Sequence, residues 1–325
     1  MGIYNTIDSI DRKITPAVLK IIGEKPKIIS FYFHGIFADE KELNADIVDP
    51  QQRFTVNDFK RFFEYFLESG YKFISPDDVS GAVDTSAKNI LMTFDDGYYS
   101  NSLILPLLNE YKIPALFFIS TNHIKQNKAF WVDVAYRNRK KQGAGIQIIS
   151  EEQVFLKSKK HDFIDKYLVE NFGKDSLKPT CDIDRTFTPS ELKKFSEEKF
   201  VHIGNHTTDH AVLTNYEIDE AKDQIVNAQN DLLQITGKLP DYISFPNGNH
   251  NDELVRVSSE SGLKIGLTTI HQKNFFPILF NQSMLLINRY TFVMGDNFDE
   301  RLNFIRNDYR LLNFYLNLRQ YILKR

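Results

Sequence analysis

Two adjacent carboxylates and two imidazoles four residues apart are the residues of this chain best suited to chemistry: Asp95 and Asp96 in TFDDG (Thr93–Gly97), and His206 and His210 in HTTDH. One carboxylate and two imidazole nitrogens can hold a divalent cation and leave a coordination position for water or substrate. The second carboxylate is then free to take a proton from that water near neutral pH. Two ionised carboxylates in a closed pocket repel, and a cation on one of them removes the conflict. Asp209, between the histidines, ranks below Asp96 as a ligand, because a fourth protein ligand would fill the position catalysis needs. A third string, FHG at Phe33–Gly35, adds His34. Taken singly, DDG marks a turn, HxxxH a pair of surface histidines, and a histidine beside aromatics a core residue. Their common placement after β-rich runs points instead to metal-assisted hydrolysis.

Those runs are the elements that must position the groups. Strands are predicted at Ile28–Phe33, Lys72–Ser75, Ile90–Phe94, Ala115–Ser120, Val201–Gly204, Tyr242–Phe245, Ile265–Thr269 and Leu285–Tyr290. Their near-continuous apolar character suits a parallel sheet covered on both faces. Between them the spacing predicts helices. Phe59, Phe62, Phe63, Phe66 and Leu67 form one buried stripe in Val56–Ser69. Thr188-Pro189-Ser190-Glu191 is a capping-box start for a helix to about Lys199, and Glu217–Thr236 is a helix stopped by Gly237. The stretch from about 121 to 184 reads as an inserted lobe, helical near Glu151–Phe172, able to shape a cleft. Reactive groups just past the carboxyl ends of successive strands are the signature of a (β/α) barrel, and a doubly wound sheet shares part of it. The expected architecture is one domain over residues 1–325, with that insertion and a C-terminal helix at about 298–325.

Bulk properties exclude several classes. A net charge of −3 gives no electrostatic reason to expect nucleic acid, and the basic run Lys157–Lys160 reads as a solvated face. One cysteine, Cys181, excludes an internal disulfide and any multi-cysteine metal site. Residues 1–27 lack a continuous apolar core and carry Asp8, Asp11, Arg12 and Lys13, unlike a secretory leader, and no run is long enough to span a bilayer. The expectation is a cytoplasmic protein. The basic, aromatic tail could lie on an anionic membrane, but packing against the barrel is the simpler account. His123, His161, His202 and His250 have no supporting constellation, and Trp131 serves either as a sugar-stacking platform or as an anchor of the insertion.

The motifs resemble those of the polysaccharide deacetylase family, carbohydrate esterase family four with the NodB-homology domain. FHGI (Phe33–Ile36), LMTFDDGYYSN (Leu91–Asn101), IPALFFIS (Ile113–Ser120), IGNHTTDH (Ile203–His210) and SFPNG (Ser244–Gly248) carry the resemblance, which spans about 28 to 290. It implies a deformed (β/α)7 barrel and metal-dependent removal of an N-acetyl, sometimes O-acetyl, group from a sugar. It implies Asp95 as general base and Asp96, His206 and His210 as ligands of a divalent metal, with Zn2+ first and Co2+, Ni2+ or Mn2+ as substitutes. The turn after the SFP strand implies an oxyanion-binding amide at Asn247. This chain departs from the family where Asn247 replaces the usual aromatic and where the arginine that commonly precedes it is absent; Arg289 is the candidate to orient Asp95 instead. The late histidine of many members is not recognisable, and His271 sits in the wrong context. Members with a circularly permuted arrangement carry a histidine after the first strand, and His34 fits that place as the acid.

The implied substrate is an acetylated amino sugar in a polysaccharide or in a lipid- or nucleotide-linked precursor. Two rivals stand beside it. The same barrel can remove a formyl or other non-sugar acyl group. Alternatively, an altered oxyanion turn leaves a glycan-binding protein without turnover.

Overall fold

The structure, a computed structural model, describes residues 2–81, 83–278, 280–281 and 284–311. Strands form where apolar, β-branched and aromatic residues run together: KIISFYF, KNILMTF and ALFFI contain no Gly or Pro and bury nearly every side chain. Among the described residues there are eleven: β1 (Lys27–Phe33), β2 (Lys72–Phe73), β3 (Lys88–Phe94), β4 (Ala115–Ile119), β5 (Val201–Asn205), β6 (Tyr242–Ser244), β7 (Ile265–Leu267), β8 (Asn274–Phe275), β9 (Phe280–Asn281), β10 (Met284–Ile287) and β11 (Arg289–Tyr290).

The main strands pair in parallel in the order β1-β3-β4-β5-β6-β7-β10, and β11 pairs in parallel with β1. Since β10 and β11 are separated only by Asn288, one stretch of chain joins β7 to β1 and rounds the sheet into the deformed (β/α)7 barrel. The Asn274 side chain bridges the break, accepting from the Asn288 N–H and donating to the Asn288 carbonyl. Register aligns the strand ends. Phe33 lies opposite Phe94, Phe94 opposite Phe117, Ile119 opposite Asn205, and Asn205 opposite Ile243. The residues just beyond β1, β3, β5 and β6 therefore emerge at one level on the carboxyl face, where such barrels place their chemistry.

All eight expected strands are present. Lys72–Ser75 is shorter than expected because Ser75 caps the helix Pro76–Val79 with a capping box to Asp78. Leu285–Tyr290 is broken at Asn288, and the short antiparallel β8 and β9 have no sequence signal. In the helix Val56–Glu68, Phe59, Phe62, Phe63 and Phe66 are buried, but Leu67 is exposed, a correction to the expected stripe. The four phenylalanines fill the space outside β1, where Phe62 meets Phe31 edge-on at 5.0 Å. Aromatic pairs in this geometry contribute about 0.5–1.5 kcal/mol beyond area burial.

The Thr188 capping box with Glu191 opens the helix Pro189–Ser196, which ends a turn earlier than expected. Ile218–Thr236 is capped by Glu217 and stopped by Gly237 at φ +76°. The insertion between β4 and β5 is helical, with Trp131–Lys141, Ile146–Lys157 and His161–Phe172 around its own core of Val134, Ala135, Leu156, Ile164 and Leu168. The N-terminal helix Gly2–Ile21 lies outside the expected elements: it has no acidic first turn and carries Pro16. At the other end Phe298–Arg306 is helical, while residues 312–325 of the expected tail lie outside the described residues. No helix among the described residues is long and apolar enough to cross a membrane.

Candidate active site

β3 ends at Phe94 and β5 at Asn205, so Asp96 and His206 leave neighbouring parts of the same rim. Asp96 Oδ1 lies 3.4 Å from His206 Nε2 and 3.3 Å from His210 Nε2. The histidines reach one point by a tight loop rather than a helix turn. Asp96, Thr207 and His210 all have positive φ (+80°, +65° and +51°). Side chains hold that conformation: Asn205 accepts from the Thr207 N–H at 2.8 Å, and Thr207 Oγ1 accepts from the Ala211 N–H at 2.9 Å. Left-handed geometry at non-glycine residues costs energy and persists only where the surroundings impose it.

The donor set fits a divalent cation. A carbonyl only accepts, so the 2.8 Å bond between His206 Nδ1 and the Ser244 carbonyl places the proton on Nδ1 and leaves the Nε2 lone pair facing the site. Asp96 Oδ1 is buried with no hydrogen-bond donor. Burial pushes His210 down to about 4, against the pull of Asp96, and so keeps it a neutral nitrogen ligand. One carboxylate and two imidazoles converge their donor atoms within 4.8 Å of one another, a ligand set that suits a divalent cation. Asp209 points elsewhere: Asn122, Thr208 and Gln224 donate to its carboxylate at 2.8, 2.9 and 2.8 Å.

Asp95 faces the partner that the sequence suggested. Arg289 grips it bidentately, Nη1 to Oδ1 at 2.7 Å and Nη2 to Oδ2 at 2.9 Å. The remaining N–H groups of the guanidinium go to Thr93 Oγ1 (2.9 Å), Ser244 Oγ (2.7 Å) and the Thr268 carbonyl (3.0 Å). All five donors of a fully buried arginine are thus satisfied. Burial disfavours the Asp95 charge, yet Arg289 outweighs it and holds the carboxyl below its ordinary range. Ser244 Oγ adds a 3.1 Å bond to Asp95 Oδ2. Sequence reasoning misses Thr93 and Ser244. The only signal for them is their position in the strands that carry the motifs.

Asp95, Asp96, His206 and His210 floor a cavity of about 350 Å³ that also meets His34, Asn247 and, from the insertion, Trp131. His34 lies just past β1, and its Nδ1 is 3.0 Å from Gln52 Oε1. Asn247 sits at φ +58° in the turn Pro246–Gly248. Trp131 lines the cavity and also packs on the core of the insertion. The remaining histidines have local partners. His123 is buried, stacks on Phe130 at 4.1 Å and is pushed down to about 3 by that burial. His161 meets Tyr216, His202 meets Ser75 and His250 meets the Gly248 carbonyl. His271 stacks on Tyr290 and faces a separate groove of about 700 Å³ beside the N-terminal helix, away from the cluster.

A profile of the polysaccharide deacetylase family matches residues 82–266, more than half of the chain. A comparison with curated protein sequences gives no match. Among solved structures the chain is similar to the Streptococcus pyogenes deacetylase PplD in complex with acetate, at 16% identity over 87% of this chain and 100% of that one, with a TM-score of 0.57. It is also similar to IcaB from Ammonifex degensii (15% identity, 87% and 99% coverage, TM-score 0.56). The de-N-acetylase from Aggregatibacter actinomycetemcomitans gives 16%, 86%, 99% and 0.57. At these identities the likeness is one of fold.

Proposed function

This chain belongs to the polysaccharide deacetylase family, and from that premise we propose that it removes the N-acetyl group from an acetamido sugar by metal-dependent hydrolysis. The observation that carries the reading is the buried Arg289–Asp95 pair beside the convergent Asp96, His206 and His210. It separates one carboxylate for proton transfer from another for ligation, and two solved structures of like fold are described as deacetylases by their own names.

Asp96, His206 and His210 would hold the cation, and two imidazoles with one carboxylate suit Zn2+, with Co2+, Ni2+ or Mn2+ able to replace it. When bound, it supplies Lewis acidity to a water and to the amide carbonyl. Asp95, kept ionised by Arg289, takes a proton from the attacking water as its oxygen bonds to the carbonyl carbon. The Asn247 N–H donates to the oxygen on which negative charge develops. His34 gives a proton to the nitrogen as the C–N bond breaks, so acetate and a free amine leave. Trp131 offers an aromatic face to the sugar. The substrate is then an acetylated amino sugar in a polysaccharide or in a lipid- or nucleotide-linked precursor. The exposed thiol of Cys181 fits the reducing, cytoplasmic setting expected from the sequence.

Asp95→Asn is expected to lower acetate release by about 10²–10⁴-fold while bound metal, measured by elemental analysis, stays equimolar. Full activity would overturn the base assignment. Binding of an acetamido sugar by the metal-loaded wild type with no acid release would favour a binding protein.

A further inference from the structure

We propose that Gln52 is a positioning residue for the proton donor: its side-chain oxygen accepts from Nδ1–H of His34, so the proton that the imidazolium gives to the leaving amine is the one on Nε2, and a neutral Nδ1–H ring remains. The proposal rests on the reading of His34 as the acid. Gln52 Nε2 donates to Thr291 Oγ1 at 3.2 Å, and the amide oxygen lies 3.0 Å from His34 Nδ1. An amide oxygen only accepts, so His34 Nδ1 carries the hydrogen. Nε2 has no partner among the described residues, and His34 borders the cavity beside Asp95 and Asp96.

The loop that presents Gln52 is built for the purpose. The residues on either side, Gln51 and Arg53, have φ of +39° and +59°, and neither is glycine or asparagine. Such a conformation is uphill by about 1 kcal/mol or more per residue and is kept only where neighbours impose it. Here they do. The Arg53 N–H donates to the Pro50 carbonyl at 2.7 Å, and the Gln52 carbonyl accepts from the Met294 N–H at 2.7 Å. Asp49 accepts from the Gln51 N–H at 3.1 Å, and the buried Asp133 accepts from the Asp49 N–H at 2.9 Å. The outcome is a polar side chain only 7% exposed whose one remaining acceptor faces the histidine. A neutral amide also accepts from Nδ1–H without adding a third negative charge beside Asp95 and Asp96.

The test combines ring nitrogen shifts of His34 with kinetics on an N-acetylated chitooligosaccharide, using the full metal-loaded chain. The wild type is expected to show the Nδ1–H tautomer. Gln52→Leu, which keeps the volume but not the acceptor, is expected to shift His34 toward Nε2–H and to lower kcat by about tenfold to hundredfold, with KM within about twofold. Gln52→Glu, which restores an acceptor, is expected to restore the Nδ1–H tautomer. An Nε2–H wild type, or a Gln52→Leu protein with unchanged tautomer and rate, would overturn the role of Gln52 while a large loss in His34→Ala upheld the acid. Full deacetylation by His34→Ala would overturn the acid itself, and this proposal with it.

Discussion

Arg289 and Asp95 form a pair in which each charge is tolerable only because of the other. The guanidinium is fully buried, and every one of its N–H groups is spent on Asp95 and its neighbours. Removing one partner of such a pair leaves an uncompensated buried charge, which typically costs about 3–5 kcal/mol. Arg289→Met should therefore lower the unfolding free energy by an amount of that order, measured by denaturant titration. It should also raise the Asp95 pKa, since the group that holds it down is gone, so the acid limb of the pH–rate profile moves to higher pH. Arg289→Lys keeps a charge but cannot grip bidentately, and should fall between wild type and Met in both measurements. An unmoved acid limb in Arg289→Met would mean that Asp95 is not the group titrating there.

At the scale of elements, the turn after β6 shows how little freedom the rim has. Gly248 has φ +74°, and a Cβ there would lie 1.9 Å from Thr269 Oγ1 and 2.8 Å from Thr269 Cβ. The neighbouring Asn247 already holds φ +58°, and its carbonyl accepts from Thr269 Oγ1 at 3.3 Å. Gly248→Ala should thus displace the turn, costing about 1–3 kcal/mol in stability and a larger share of kcat than of KM. Adding Thr269→Ala removes the nearest atom and should recover much of the melting temperature. No recovery would show that the backbone strain or the remaining Cβ contact at 2.8 Å, rather than the Oγ1 overlap, sets the cost.

Across the whole molecule, Asp133 ties the insertion to the barrel. Tyr98, just past the DDG turn, donates to one of its oxygens and the Asp49 N–H to the other. Burial pushes Asp133 up to about 8, only partly opposed by those two bonds. The native state then keeps a proton that the unfolded chain releases near its ordinary value, about 4. Between about pH 4 and 8 the unfolded state binds fewer protons, so this group makes stability fall as pH rises. His123 acts in the opposite sense: it stays neutral in the fold down to about 3, so stability falls as pH drops below about 6.5. Asp133→Asn should flatten the decline in melting temperature between about pH 6 and pH 8. An unchanged decline would assign it to another group.

The sequence by itself determined eight of the strands, though not β8 and β9, and the reactive strings on them, because both patterns are local. TFDDG, HTTDH and FHG come directly after or at the ends of apolar runs that can only be buried strands, and parallel strands in register must deliver their trailing residues to one rim. The Thr188 capping box and the Gly237 stop were legible for the same reason: a cap is a contact within four residues. Arg289 could be named only as a candidate, since its pairing with Asp95 spans 194 positions and depends on β11 closing against β1. Nothing local marks Gln52, Ser244 or Thr93 as partners of the reacting groups. Gln52 in particular owes its place to a strained loop held by its own Asp49 and, from two distant parts of the chain, by Asp133 and Met294. The sequence chose the functional groups through short-range pattern. Tertiary structure decided which group each one faces, because burial, tautomer and charge pairing are set by neighbours that only the closed barrel brings together.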